Sequence, residues 1–191
     1  DASLIALGFT EHSFAHVTKC AETASGLLRD LGYDDRQIEL AKIAGFMHDI
    51  GNVVNRHDHA ISGATMAFRI LDKMGMDPAD VAAVITAIGY HDDKTAFPVN
   101  AIAAALLLAD KTDVRRSRVR NRDTISFDIH DRVNYAVEKS DLTLNAAAKT
   151  VTLTLSINTE VCAVMDYFEI FLDRMLLCRK AAEFFGLTFK L

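Results

Sequence analysis

The sequence has little of what disordered, fibrous or disulfide-stabilised proteins need. Its 191 residues include 9 glycines, 2 prolines and no tryptophan, and the net charge is −5. Disordered chains and collagen-like repeats need far more glycine, proline or charge of one sign, so both classes are excluded. The three cysteines, Cys20, Cys162 and Cys178, are odd in number and far apart. They exclude a disulfide framework and favour reduced thiols in a cytoplasmic protein.

Long apolar runs and basic charge are missing as well. The longest apolar run covers residues 101–109, whereas a membrane span needs roughly 20 residues. General nucleic-acid binders are usually basic, and this chain is acidic. We therefore expect a cytoplasmic protein that has neither a membrane nor a nucleic acid as its partner.

Helical periodicity dominates the first two thirds of the chain. Apolar residues recur every three or four positions, which is typical of amphipathic helices, and glycines or prolines mark their ends. Helices are predicted at residues 11–31, 34–51, 58–74, 78–88 and 99–116. The last of these is apolar on every side in its centre, which predicts a buried helix in the middle of a bundle.

The pattern changes after residue 122. Two short stretches alternate between apolar and polar residues, which is typical of strands. The predicted elements are a helix at 128–139, a β-hairpin of strands at 142–144 and 151–157, a long helix at 160–185 and a short strand at 187–191. The predicted fold is therefore mainly α, with a helical bundle at residues 1–122 and a small C-terminal α+β extension at 123–191. The extension would either form a homodimer or cover the pocket.

Each of the five bundle helices carries an imidazole or a carboxylate near one end or on one apolar turn. These residues are His16, His48, Asp49, His59, His91 and Asp110. A single histidine of this kind is more often an ordinary core or cap residue. Burying so many of them without partners would cost several kcal/mol each. A shared divalent ion removes that cost, because neutral imidazole and carboxylate are good metal ligands.

The order of these residues resembles the HD superfamily of metal-dependent phosphohydrolases. Ala44-Gly-Phe-Met-His-Asp-Ile-Gly51 is similar to the His-Asp doublet of the family, and Ala109-Asp-Lys-Thr-Asp113 to its last motif. The resemblance extends over about residues 12–118. It implies one divalent ion bound by His16, His48, Asp49 and Asp110. In members with extra histidines it implies a second ion bound by His59 and His91, with Asp49 as the bridge.

The resemblance also implies the chemistry. One or two ions (Mn, Fe, Co, Ni, Zn or Mg) would neutralise a phosphate and lower the pKa of a bound water. We expect metal-bound hydroxide to attack a phosphoester of a small phosphorylated metabolite, with a nucleotide as the expected class. His48 and Asp49 are the predicted catalytic residues. Two further histidines, His12 and His57, are weaker candidates for proton transfer.

Positive and amide side chains near the motifs are candidates for binding the substrate. On helical geometry Lys111 and Arg118 flank the face of Asp110, and Asn52 follows the doublet. Arginine suits bidentate phosphate contacts. Asn55 and Arg56 either line the pocket mouth or belong to an ordinary loop. On the same geometry Arg116 points away from that face. The remaining arginines of the cluster, Arg115, Arg120 and Arg122, either reach the site or form a solvated or subunit-facing run.

Two other functions stay open at this point. A histidine-rich pair of metal sites is also similar to the HD-type di-iron oxygenases. Alternatively, the metal could be a structural element of a non-catalytic signalling or binding module. Hydrolysis of cyclic dinucleotides is not expected. Members with that activity carry a lysine directly after His-Asp-Ile-Gly and a later Gly-Tyr-Pro element, whereas Asn52 follows Gly51 here and His91 is followed by Asp-Asp-Lys-Thr-Ala-Phe-Pro.

Overall fold

The computed structural model describes residues 14–92, 96–114, 116–119 and 129–191. This part of the chain forms seven α-helices and one three-stranded sheet. The helices are α1 (Phe14–Asp30), α2 (Asp35–Met47), α3 (His59–Lys73), α4 (Pro78–Gly89), α5 (Ala101–Lys111), α6 (Ile129–Ala136) and α7 (Val164–Phe184). The strands are β1 (Val137–Asn145), β2 (Thr150–Ile157) and β3 (Thr188–Lys190). The predicted class, mainly α with a C-terminal α+β part, is confirmed.

Helix α5 lies at the centre of the molecule, as its apolar sequence predicts. All residues from Ile102 to Ala109 are buried, and the helix contacts α1, α2, α4 and α7. Leu106 belongs to a core cluster with the first four helices, whereas Leu107 and Leu108 belong to a second cluster with α7 and the sheet. Burying each leucine contributes about 1.5–3 kcal/mol. Both halves of the molecule are therefore built around this helix.

The ends of α5 differ from the prediction because side chains cap it. The side chain of Asn100 accepts a hydrogen bond from the backbone N of Ala103 at 2.7 Å, so the helix begins at Ala101 instead of residue 99. It ends at Lys111 instead of residue 116, and the chain then forms a separate 3-10 turn at Arg116–Arg118. The prediction that Arg118 continues the face of Asp110 on this helix is therefore wrong.

The second helix is also shorter than predicted. Asp34 caps its start by accepting a hydrogen bond from the backbone N of Gln37 at 2.8 Å, but α2 ends at Met47 instead of residue 51. His48 and Asp49 form the turn that follows, before a 3-10 turn at Ile50–Val53. The His-Asp doublet thus lies beyond the regular helix, where its side chains can point toward several other elements.

The C-terminal part contains the predicted hairpin with corrected ends. β1 pairs with β2 antiparallel, and β2 pairs with β3 parallel. The predicted helix at 128–139 ends at Ala136, because Val137 already pairs with Ile157 in the sheet. The predicted long helix begins four residues late, since Asn158 accepts the backbone N–H groups of Val161 and Cys162 in a turn.

The C-terminal elements pack on the bundle through buried aromatic residues. Tyr167 and Phe171 of α7 lie in one cluster with Leu107 and Leu108 of α5. The predicted boundary between residues 122 and 123 remains a prediction. Within the described part of the chain, no helix is both long and apolar enough to cross a bilayer.

Candidate metal centre

All six predicted ligands converge on one buried location. His16 comes from α1, His48 and Asp49 follow α2, His59 begins α3, His91 follows α4, and Asp110 lies near the end of α5. The four histidines are no more than 2% exposed, and Asp49 is 7% exposed. Five elements that are distant in sequence therefore each bring a potential metal ligand to the same place.

Close backbone packing brings the His-Asp doublet against α3. At Gly51, a Cβ atom would lie 2.0 Å from the backbone O of His59 and 2.6 Å from the backbone N of Gly63. At Gly45, a Cβ atom would lie 2.6 Å from the Cα of Ala21 on α1. Only glycine allows such contacts, so these two positions place the doublet between α1 and α3.

Every histidine of the centre uses its Nδ1 to donate a hydrogen bond. The acceptors are Asp113 Oδ2 at 2.8 Å for His16, Gly45 O at 2.7 Å for His48, Arg56 O at 3.0 Å for His59 and Ile88 O at 2.6 Å for His91. Because a carbonyl or carboxylate oxygen accepts, Nδ1 carries a proton, and in the neutral ring the lone pair lies on Nε2. That is the arrangement of metal-binding histidines in proteins.

Four donor atoms form a first group. His16 Nε2 lies 3.3 Å from Asp110 Oδ1 and 3.7 Å from Asp49 Oδ2. His48 Nε2 lies 3.5 Å from Asp49 Oδ2 and 3.9 Å from Asp110 Oδ1. Ligands that share one ion at about 2.0–2.2 Å lie about 3–3.6 Å from one another, so this group is close to the spacing a divalent ion requires.

The hydrogen bonding of His48 is an independent test of that fit. Its Nε2 is buried and has no hydrogen-bond partner among the described residues. An unpaired buried polar atom is costly. A metal ion bound at the first group would use this lone pair, so the residues present fit a divalent ion.

Asp49 also faces a second group of donor atoms. Its Oδ1 lies 3.5 Å from His59 Nε2, and His59 Nε2 lies 3.0 Å from His91 Nε2. Oδ1 accepts a hydrogen bond from Asn52 Nδ2 at 2.8 Å. The two oxygens of Asp49 thus point toward different groups, as a bridging carboxylate would.

Burial keeps two of the histidines neutral. Burial, followed by the nearby charges of His48 and Lys111, lowers the pKa of His91 to about 3. Burial also lowers the pKa of His48. Neutral imidazole is the form that binds metal, so neither residue has to lose a proton at neutral pH.

Paired charges act differently on His16 and Asp110. Burial opposes a charge on His16, but its hydrogen bonds to Asp110 and Asp113 help to hold its pKa well above the ordinary value. Burial likewise opposes ionisation of Asp110, yet Lys111, with Nζ 2.8 Å from Oδ2, and the neighbouring histidines keep its pKa well below the ordinary value. Asp110 is therefore an anionic oxygen donor.

Cys20 is near the centre but is not placed as a ligand. Its Sγ lies within 4.8 Å of ligand atoms from His16, His48 and Asp110. However, it is 3.7 Å from both ring nitrogens of His16, which places the sulfur against the face of the ring. The Nε2 lone pair points outward in the ring plane. Cys20 therefore packs against His16.

The residues predicted to bind substrate make hydrogen bonds or ion pairs with other residues of the protein. Lys111 is buried and pairs with Asp110, and Asn52 donates to Asp49. Arg118 is buried, and its Nη1 donates to the backbone O of Asp113 at 2.8 Å. Arg116 faces away from the centre, because its Nε donates to Tyr135 O at 2.7 Å. The other arginines of the cluster, Arg115, Arg120 and Arg122, lie outside the described residues.

The structure places one of the two weaker proton-transfer candidates, His57, away from the centre. His12 lies outside the described residues. His57 is exposed, and its Nδ1 lies 2.6 Å from Asp58 Oδ2 at the surface.

Sequence reasoning did not identify Asp113. Its carboxylate accepts from His16 Nδ1, lies 3.0 Å from Lys19 Nζ and is buried. Its position three residues after Asp110 is the signal that could have revealed it, because a second carboxylate so close to a predicted ligand can reach the same location. Arg56, for which the sequence left two interpretations open, contacts the second group directly.

Comparison with known proteins agrees with this geometry. The family model of the HD domain matches residues 13–136, which is well over half of the chain. No curated protein and no solved structure matches the chain. The chain therefore belongs to the HD domain family, whose members are generally metal-dependent phosphohydrolases.

Proposed function

We propose that this protein is a metal-dependent phosphohydrolase that cleaves a phosphoester of a small phosphorylated metabolite, with nucleotides as the expected class. The observation that carries the proposal is the first group of donors, His16, His48, Asp49 and Asp110. Its imidazole nitrogens lie 3.3–3.9 Å from its carboxylate oxygens, and the Nε2 of His48 is unpaired. A divalent ion bound there supplies a positive charge to phosphate oxygens and lowers the pKa of a bound water.

The residues of the chain keep this location ready for an ion. The Nδ1 hydrogen bonds hold the rings of His16 and His48 with Nε2 toward the centre. Asp49 is held by Asn52, so its Oδ2 stays directed at the same point. Because the ligands are fixed before the ion binds, little reorganisation is needed.

The donor types support metals softer than magnesium. Two imidazole nitrogens and two carboxylate oxygens suit Mn, Fe, Co, Ni and Zn, whereas Mg prefers oxygen ligands alone. We therefore propose that activity is highest with one of the transition metals.

Positive charge beside the centre favours a phosphorylated substrate. Lys111 and Arg56 lie next to Asp110 and Asp49, with nitrogen to oxygen distances of 2.8 Å and 3.7 Å. A phosphate approaching the ion would meet the partly exposed guanidinium of Arg56, which suits bidentate phosphate contacts, whereas the buried Lys111 adds positive charge beside Asp110. Asn52 would contribute a polar amide at the same side.

A panel of phosphorylated metabolites tests the proposal. The wild-type protein is incubated with Mn, Co, Ni, Fe or Mg, with and without oxygen, beside Asp49→Asn and the control Asp72→Asn on the exposed face of α3. We expect phosphate release that needs the metal, is independent of oxygen, falls at least 100-fold in Asp49→Asn and is unchanged in the control. Equal rates for wild type and Asp49→Asn, or turnover that consumes oxygen, would contradict the proposal.

A further inference from the structure

Arg56 lies where a second ion would bind. It follows the 3-10 turn and precedes α3, and 27% of its side chain is exposed. Its Nη1 is 3.0 Å from His59 Nε2, 3.7 Å from Asp49 Oδ1 and 3.3 Å from Asn52 Oδ1. The guanidinium therefore lies against two donors of the second group, Asp49 Oδ1 and His59 Nε2.

The contact with His59 uses the atom that a metal would need. His59 donates from Nδ1 to the backbone O of Arg56, so its Nε2 has a lone pair that accepts from Nη1. Arg56 thus holds the imidazole at both nitrogens. A metal ion on His59 would compete for the same lone pair.

The positive charge of Arg56 also disfavours a second metal ion. The guanidinium of arginine is always positively charged in proteins. A divalent ion between Asp49 Oδ1 and His59 Nε2 would lie within a few ångströms of this cation, in a location where Asp49 and His59 are buried. Like charges at that distance repel strongly when water is excluded.

We infer that Arg56 takes the place of a second metal ion, so that the protein binds one divalent ion tightly at His16, His48, Asp49 and Asp110. This inference rests on the proposed function and deepens it: Arg56 supplies the second positive charge toward the phosphate. The second ion implied by the extra histidines, His59 and His91, is then not expected in the wild-type protein.

Metal stoichiometry without substrate tests the inference. The protein is equilibrated with Mn²⁺ by dialysis, and bound manganese per chain is measured by elemental analysis. The variants are Arg56→Ala, Arg56→Gln and the matched control Arg69→Ala, which removes an exposed arginine of α3. Circular dichroism spectra and thermal melts establish that each variant is folded.

We expect one manganese per chain in the wild type and in Arg69→Ala, and two in Arg56→Ala and Arg56→Gln. Adding His59→Ala to Arg56→Ala should return the count from two to one. His59→Ala alone should leave the wild-type count at one.

The contradicting results separate the two proposals. Two ions in the wild type, or one ion in both folded Arg56 variants, would overturn the role of Arg56 and leave the metal-dependent function standing. No bound ion in the wild type would contradict the metal centre itself and, with it, the inference.

Discussion

Asp113 lies behind His16, on the side of the ring that faces away from the metal centre. Its Oδ2 accepts from Nδ1 at 2.8 Å, while Lys19 and the nitrogens of Arg118 hold the carboxylate and backbone of Asp113 in turn. Such a partner fixes the orientation of the ring and increases its basicity. A residue that does not touch the ion can therefore set how well His16 binds it.

Replacing Asp113 should weaken metal binding without removing a ligand. We expect Asp113→Asn to lower the affinity for Co²⁺ about 10-fold and Asp113→Ala about 10–100-fold, the usual effect of losing such a partner. Calorimetric titration with Co²⁺ measures this, with Asp72→Asn as the control. Unchanged affinity in folded Asp113→Ala would show that His16 needs no partner on Nδ1.

His91 should make the stability of the metal-free protein depend on pH. The folded pKa is about 3 and the unfolded value is 6.5, so between these values the unfolded chain binds a proton that the folded chain does not. The free energy of unfolding should therefore fall with decreasing pH, by up to about 1.4 kcal/mol per pH unit. His48, whose pKa is also lowered, adds to the trend.

Urea unfolding in chelator between pH 7 and pH 4 measures this dependence. His91→Asn retains a donor toward Ile88 but cannot titrate, so its slope should be shallower. The control is Thr65→Ala, at an exposed position of α3 without a titratable side chain, whose slope should match the wild type. Identical slopes for wild type and His91→Asn would contradict the buried neutral state of His91.

At the scale of elements, the bundle is held at the metal centre by close approaches that only glycine allows. The 3-10 turn after the doublet contacts α3 so tightly that a methyl group at Gly51 would overlap the backbone of His59 and Gly63. α1 and α2 meet in the same way at Gly45. The relative position of four elements, the 3-10 turn, α1, α2 and α3, therefore depends on the absence of a side chain at two glycines.

Gly51→Ala should separate the doublet from α3. We expect a loss of stability of about 1–3 kcal/mol or more from overpacking and weaker binding of Co²⁺. Gly26→Ala is the matched control, because nothing lies within 4 Å of its Cβ on α1; it should gain about 0.4–1 kcal/mol. Thermal melts and Co²⁺ titrations of both variants test this, and a fully stable Gly51→Ala would contradict the packing described.

The elements themselves were predictable, whereas their ends and contacts were less so. Apolar periodicity predicts each helix because burial of one face decides helix formation. The predicted ends were wrong at two positions. The cap at Asn100 makes α5 begin later than predicted, and the pairing of Val137 with Ile157 makes α6 end earlier than predicted. The first of these ends depends on one local hydrogen bond and the second on pairing with a distant strand. The apolar periodicity of the sequence contains neither kind of information.

The residues of the candidate site were also predictable only in part. The six predicted ligands carry a signal in their residue types and order, so the sequence predicts them together, and the structure brings them to one location. Asp113 and Arg56 act through contacts with His16 and His59 across the fold. Their types are common on surfaces, and only the three-dimensional arrangement distinguishes them from solvated charges.

At the scale of the whole molecule, α5 joins the metal centre to the C-terminal part. It carries Asp110 at one end, and its Leu107 and Leu108 pack in the same core as Phe171 and Tyr167 of α7. A core shared in this way favours unfolding in one step. The predicted boundary between residues 122 and 123 would then divide the sequence without dividing the cooperative unit.

Phe171→Ala tests this coupling from the side remote from the ligands. Removing a buried phenylalanine should cost about 3–5 kcal/mol. In urea titrations of the Co²⁺-loaded protein, the visible absorbance of the metal and the far-ultraviolet signal should disappear at the same, lowered midpoint. The control is Phe68→Ala on the half-exposed outer face of α3, which should cost much less. A metal signal that outlasts the helical signal would indicate two independent units.

The location of the ion is the most direct test of the whole account. Crystals grown with Mn²⁺ and measured near the manganese absorption edge would show the metal in an anomalous difference map. We predict a strong peak about 2.0–2.3 Å from His16 Nε2, His48 Nε2, Asp49 Oδ2 and Asp110 Oδ1. A fully loaded protein whose manganese lies elsewhere, with these four atoms uncoordinated, would contradict the assigned metal centre.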